Sequence, residues 1–204
     1  HINDTYLVTT GEGRFILQRV NSYVFPKPEE VISNILRVTD YLRGVIREEG
    51  GDPYRETLTL VQTQKGGYFT YDPEGGLWRM YLFVEDTISR DLPDTPELFE
   101  LSGEAFGRFQ RQIGSFPADT LFETIRDFHN TPARYQQLQD AITRNEAGRL
   151  DEVAAEIEFC RERERDVHVL MDAQAAGEIP LRVTHNDTKL NNVLLDAKTG
   201  RGVC

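Results

Sequence analysis

The densest polar chemistry in this chain lies in HNDTKLNN, residues 185–192. Apolar Ile179, Leu181 and Val183 lead into it, and Val193, Leu194 and Leu195 lead out. Asp187 follows one strand-like run and Asn192 precedes another, so a short loop can fold the two toward one point. A carboxylate and an amide oxygen together suit a hard cation such as Mg²⁺. The carboxylate alone suits orienting or deprotonating a hydroxyl. Lys189, two residues beyond Asp187, could offer positive charge to a transferring phosphoryl group. The structural alternative is a polar hairpin loop whose Asn and Asp side chains only satisfy backbone groups.

The elements that must hold this loop can be read from periodicity. Residues 5–8 and 15–17 are β-rich and are joined by Gly11-Glu12-Gly13, a hairpin signal. Pro28-Glu29-Glu30 opens a helix, with acids suited to its first turn. Val31, Ile35, Val38, Leu42 and Val45 then share one face, and Gly50-Gly51 stops the helix. Three more strands are expected at 58–62, 68–71 and 77–83, punctuated by Gly66-Gly67 and by Asp72-Pro73-Glu74-Gly75-Gly76. The order β-β-α-β-β-β is a small antiparallel sheet with one packed helix. Beyond residue 84 the chain turns helical, with core stripes on Leu98, Leu101, Ala105, Phe109 and Ile113, on Tyr135, Leu138 and Ile142, and on Val153, Ile157, Cys160, Val167 and Met171. Residues 181–184 and 193–195 read as a hairpin flanking the polar loop. We therefore expect an α+β fold of two lobes, a β-rich lobe at 1–84 and a helical lobe at 85–204, with a ligand cleft between them.

Composition narrows the partners. The 204 residues carry 23 Lys and Arg against 34 Asp and Glu, a net charge of −11. We see no basic cluster with interleaved aromatics, so nucleic acid is not an expected partner. No apolar run approaches the roughly 18–20 residues of a membrane span. Cys160 and Cys204 give neither a disulfide framework nor zinc spacing, the usage of reduced thiols in a cytoplasmic protein.

The octet is an H-x-D-x-K-x-x-N pattern, and in this setting it resembles the catalytic loop of protein-kinase-like phosphotransferases. HNDTKLNNVLLD is similar to the aminoglycoside phosphotransferase and choline kinase branch, where the loop more often reads HGDLHPGNVL. The HNDTKLNN form resembles the N-acetylhexosamine 1-kinases of bacterial lacto-N-biose and mucin-sugar use. So do HINDTYLVTT, ILQRVN, LWRMYLFVEDTIS and IPLRVTHNDTKLNNVLLDAKTG. The resemblance implies a protein-kinase-like bilobal fold and ATP- and Mg²⁺-dependent phosphorylation of GlcNAc or GalNAc at the anomeric hydroxyl. Its alternatives are another acceptor (an aminoglycoside, choline or homoserine), or a pseudokinase-like module that holds nucleotide or sugar without turnover.

The resemblance also implies roles. Asp187 matches the catalytic base and Asn192 the magnesium ligand. His185 joins the catalytic group as support for the loop backbone. Thr188 and Lys189 would touch sugar or phosphate. The backbone of Phe83 and Glu85, in the segment between lobes, would hold adenine, and His1 and Asn3 would bind sugar hydroxyls. One position departs from the pattern. The third-strand lysine or arginine that grips the α- and β-phosphates aligns with Gln18, while the adjacent Arg19 belongs to the opposite strand face. Either Gln18 makes a neutral contact there or a bulge turns Arg19 inward. A second metal-binding aspartate is expected soon after the hairpin, and the sequence ends at Gly202-Val203-Cys204 before one arrives. We therefore expect these residues to be part of a longer kinase, and residues 1–204 alone to transfer no phosphate.

Overall fold

A computed structural model describes residues 2–93 and 95–204. Two strands open it, β1 (Asp4–Thr10) and β2 (Gly13–Arg19), paired antiparallel from Asp4↔Arg19 to Thr10↔Gly13. The pairing leaves a two-residue loop, and Gly13 closes it at φ 138°, where a side chain would be strained. Strand β4 (Leu77–Leu82) pairs with the other edge of β2, and the short β3 (Thr70–Tyr71) pairs with β4. The sheet order is β1-β2-β4-β3. The strand expected at 58–62 is reduced to one bridge, Leu60↔Tyr81, with Val61 donating to the Met80 carbonyl at 2.8 Å and Leu82 to that of Thr59 at 2.9 Å. Its alternation is sound, but it meets β4 over too few residues to form a ladder. The strand expected at 68–71 likewise shortens to its last two residues.

Helix α1 (Pro28–Glu48) begins with proline in its first turn, Glu29 and Glu30 beside it, and Arg47 in its last turn, matching the helix dipole at both ends. Its buried positions are Ile32, Thr39, Leu42 and Ile46, so the stripe lies one residue away from Val31 and Val45, which are only half-buried. The reason is that α1 serves two cores. Ile32, with Ile35 and Leu36, packs under the sheet on Val20, Leu60, Leu77 and Tyr81. Leu42 and Ile46 pack with Ile113 of α3 (Pro96–Ile113), joined by Phe109, Phe116 and Val183. A short helix α2 (Pro53–Glu56) follows α1, capped by the Asp52 carboxylate accepting from Tyr54 N at 2.9 Å. Ile46 is 1% exposed at the centre of the second core. Ile46→Ala is expected to cost about 2–5 kcal/mol, seen as a lower urea midpoint with an unchanged slope.

Residues 181–184 form no strand, so the expected hairpin is absent. Instead β6 (Leu195–Asp196) pairs with β5 (Thr87–Ile88), in register Thr87↔Asp196, and Leu195 also bridges Gly202. The preceding segment carries Arg182, whose guanidinium reaches the Gly114 carbonyl at 2.6 Å, and it finds its anchors in side chains rather than in a ladder.

The chain divides into two compact units. One is His1–Thr124 together with Arg182–Cys204, and it contains every element described above. The other, Ile125–Leu181, holds α4 (Thr131–Arg144), α5 (Ala154–Glu162) and α6 (Val169–Ala175), with 3₁₀ turns between them. Asn130 caps α4 by accepting from Ala133 N, and Asn145 ends it in the left-handed region. The continuous stripe expected from Val153 to Met171 is broken after Glu162, where Arg161-Glu162-Arg163-Glu164-Arg165-Asp166 offers no apolar residue to carry the face onward. Its members and those of α4 are half-buried, except Val153, which is exposed. Among the described residues no helix is long and apolar enough to cross a membrane.

Candidate active site

The polar loop is fixed at both ends by apolar side chains. Val183 packs into the core made by α1 and α3, and Leu190, Val193 and Leu195 are buried. The His185 ring meets two α3 phenylalanines edge-on, Phe106 at 5.2 Å and Phe109 at 6.0 Å between centroids. These contacts hold the His185 ring against α3. Asn186 then takes a left-handed φ of 65° and accepts from Thr184 Oγ1 at 2.5 Å, which turns the chain sharply ahead of Asp187.

Asp187 and Asn192 come together. The Asn192 amide donates to Asp187 Oδ2 at 2.9 Å and to the Asp187 carbonyl at 2.8 Å. Lys189 Nζ stands 3.1 Å from the same Oδ2. A single 3₁₀ turn at Leu190–Asn192 provides the reach, with Asn192 N donating to the Lys189 carbonyl at 3.0 Å. The hydrogen bond from Asn192, then that from Lys189, holds the Asp187 carboxyl below its ordinary value, so it is ionised at neutral pH. All three side chains are exposed. Thr188 is exposed beside them and makes no hydrogen bond among the described residues. Asn191 points elsewhere, its amide donating to Asp91 at 3.0 Å.

The segment after β4 is held just as firmly. Phe83 N donates to the Arg14 carbonyl at 3.1 Å, and the Arg14 guanidinium lies 4.3 Å over the Phe83 ring while pairing with Glu85. Arg55 donates to the Glu85 and Asp86 carbonyls and to Asp196 at 2.8 Å, tying the segment to β6. That leaves the Phe83 carbonyl and the Glu85 N–H, two residues apart, without a hydrogen bond among the described residues. Nothing in the sequence singled out Arg55, whose partners lie 30 and 141 positions away.

The remaining positions fall elsewhere. Asn3 Oδ1 accepts from Asn21 N at 3.0 Å and so secures the exit from β2. His1 lies outside the described residues. Arg19 pairs with Asp72 and Glu74, both at 3.3 Å, so no bulge turns it to the Gln18 face. Gln18 instead accepts from Arg79 of β4, at 3.2 Å from Nε and 3.0 Å from Nη2, and donates to Thr5 Oγ1 at 3.0 Å. Arg79 went unnoticed in the sequence, although its signal is there: a cation at the middle of the apolar alternation Leu77, Arg79, Tyr81. A cavity of about 330 Å³ is lined by Arg19, Glu74 and residues around Asn21, and Asp187 is not among its walls.

Among the described residues no group of three or more His, Cys, Asp or Glu could hold a metal by itself. The donors that do converge are one carboxylate and one amide, whose Oδ1 makes no hydrogen bond among the described residues. The amide turns its nitrogen to Asp187, so its Oδ1 is one hard oxygen of the kind a magnesium ion takes beside phosphates and water. A family model for the phosphotransferase enzyme family, APH, matches residues 1–204.

Proposed function

This chain belongs to the phosphotransferase enzyme family, and we propose that it is a cytoplasmic ATP- and Mg²⁺-dependent kinase that phosphorylates an N-acetylhexosamine, GlcNAc or GalNAc, at the anomeric hydroxyl. The observation that carries the chemistry is the Asp187 carboxylate, ionised, 2.9 Å from the Asn192 amide and 3.1 Å from the Lys189 ammonium on a loop anchored at both ends. Support for the sugar comes from the likeness of HNDTKLNN and its flanking segments to the hexosamine kinases.

In this reading Asp187 orients the attacking hydroxyl and takes its proton as the new phosphorus–oxygen bond forms and the bond from the γ-phosphorus to the bridging oxygen breaks, releasing ADP. Lys189 swings from Asp187 to the transferring phosphoryl group and offsets its charge. Asn192 keeps the carboxylate aimed and, with Asp187 nearby, would hold the magnesium ion, which supplies charge neutralisation between phosphates. The Phe83 carbonyl and Glu85 N–H form an acceptor–donor pair for the adenine edge. Asn3 secures the neighbouring turn, and Thr188 meets the sugar. Residues 1–84 serve as the nucleotide lobe and 85–204 as the lobe bearing the loop. Catalysis is positioning and electrostatics, which is what phosphoryl transfer asks of a protein.

A coupled assay of the full-length protein with GlcNAc, GalNAc, choline, homoserine and an aminoglycoside tests the acceptor. We expect turnover on a hexosamine at least about 10³-fold above the others, because a site built to hydrogen-bond sugar hydroxyls rejects acceptors that leave its polar groups unpaired. Turnover only on another acceptor would reject the sugar and keep the phosphotransfer.

A further inference from the structure

Arg79 is a cation in the wrong place for a purely structural residue. Leu77 and Tyr81, its neighbours on the same face of β4, are buried in the sheet core at 2% and 5% exposure. Arg79 lies between them, opposite Gln18, and its Nη1 is buried without a hydrogen-bond partner. Arg14, Arg19, Arg55 and Arg111 each pair with a carboxylate. Among the described residues Arg79 pairs with none. Its neighbours are a neutral amide and the Tyr81 ring, 5.1 Å from the guanidinium carbon. Burial pulls its pKa down from the ordinary value, yet a guanidinium does not deprotonate in proteins. Arg79 is half-buried, and its charge faces a neutral amide and an aromatic ring but no carboxylate, which leaves Nη1 free to meet an anion.

The surroundings prepare the guanidinium for that anion. Gln18 donates to Thr5 with its amide nitrogen, which turns its oxygen toward Arg79, where it accepts from two guanidinium nitrogens. The reversed amide would set an NH₂ against a cation, so the direction is fixed. A relay Thr5–Gln18–Arg79 therefore crosses β1, β2 and β4 and holds the guanidinium plane. We propose that Arg79 binds the phosphates of the nucleotide, supplying from β4 the positive charge that the Gln18 position on β2 lacks. The inference rests on the nucleotide reading above. It assigns Gln18 as the positioning residue and Arg79 as the phosphate contact, through the fork geometry that suits phosphate oxygens.

Calorimetric titration of the full-length protein with ATP, ADP and adenosine, with Mg²⁺ present, tests it. Arg79→Met should weaken ATP and ADP by about 10- to 100-fold, the loss of one charged hydrogen-bonding group, and leave adenosine unchanged. Gln18→Leu should weaken them less, in the same phosphate-dependent sense. In the wild-type protein the Arg79 Nε–H resonance, assigned by its absence in Arg79→Lys, should move with ADP and stay still with adenosine. That measurement carries the test if Arg79→Met does not fold. Equal losses for ATP and adenosine, unchanged affinity for both, or a resonance indifferent to ADP would overturn the assignment. A wild-type protein that binds none of the three ligands would overturn the nucleotide reading itself, and this inference with it.

Discussion

Asp187→Asn in the full-length protein should lower kcat by about 10²- to 10⁴-fold, the range for removing a general base, while ATP binding and the thermal midpoint stay at their wild-type values. The substitution is nearly isosteric. An asparagine oxygen can still accept from Asn192 as the carboxylate does at 2.9 Å, so the loop keeps its shape. Lys189 loses its 3.1 Å partner, but both side chains are exposed, and such pairs contribute little to stability. What disappears is a group able to take a proton. In the wild type that group is held below its ordinary pKa, first by Asn192 and then by Lys189, so it is deprotonated throughout the neutral range. Activity limited by Asp187 should therefore persist below the pH at which an ordinary aspartate protonates, and decline only as pH falls through the lowered pKa. Steady-state kcat followed from neutral pH down through and below the ordinary aspartate range measures this, and a near-normal kcat in Asp187→Asn would remove the residue from its role.

Why this site was legible, and the frame around it less so, follows from where each kind of information resides. The loop's convergence is local. Five residues separate Asp187 from Asn192, apolar anchors flank them, and spacing alone implied that they meet. Helix α1 was local too, marked by Pro28 and its acids. The register of its buried face was not, because α1 divides between the sheet and α3, and a single-face reading misses that by one residue. Strand pairing is non-local. Residues 181–184 alternate well but lie beside no strand, while the unremarkable Thr87–Ile88 finds Leu195–Asp196 across more than a hundred positions. The apposition of Gln18 and Arg79 needs the β2–β4 register, which two isolated strand patterns do not specify. The α5–α6 region failed for a compositional reason: an alternating run of charges separates apolar residues that periodicity alone had joined.

Asn192→Ala should raise the Mg²⁺ concentration needed for half-maximal rate by at least about 10- to 100-fold, the loss seen when even an outer partner of a metal site is removed. Asn192 has two duties, and its substitutions separate them. Its amide nitrogen donates to the Asp187 carboxylate and carbonyl, and its Oδ1 is available to a cation. Alanine removes both. The Asp187 pKa then rises toward the ordinary carboxylate value, and the acid limb of kcat moves to higher pH. Asn192→Asp restores an oxygen for the metal but sets a second carboxylate against Asp187. Like charges at that separation favour a shared proton, so the pair should titrate in two steps, the upper one above the ordinary aspartate value. The Mg²⁺ requirement of Asn192→Asp should return toward wild type while its acid limb moves further up than that of Asn192→Ala. A metal requirement unmoved in Asn192→Ala, with only the pH limb displaced, would leave Asn192 as the holder of Asp187 and take it out of the metal site.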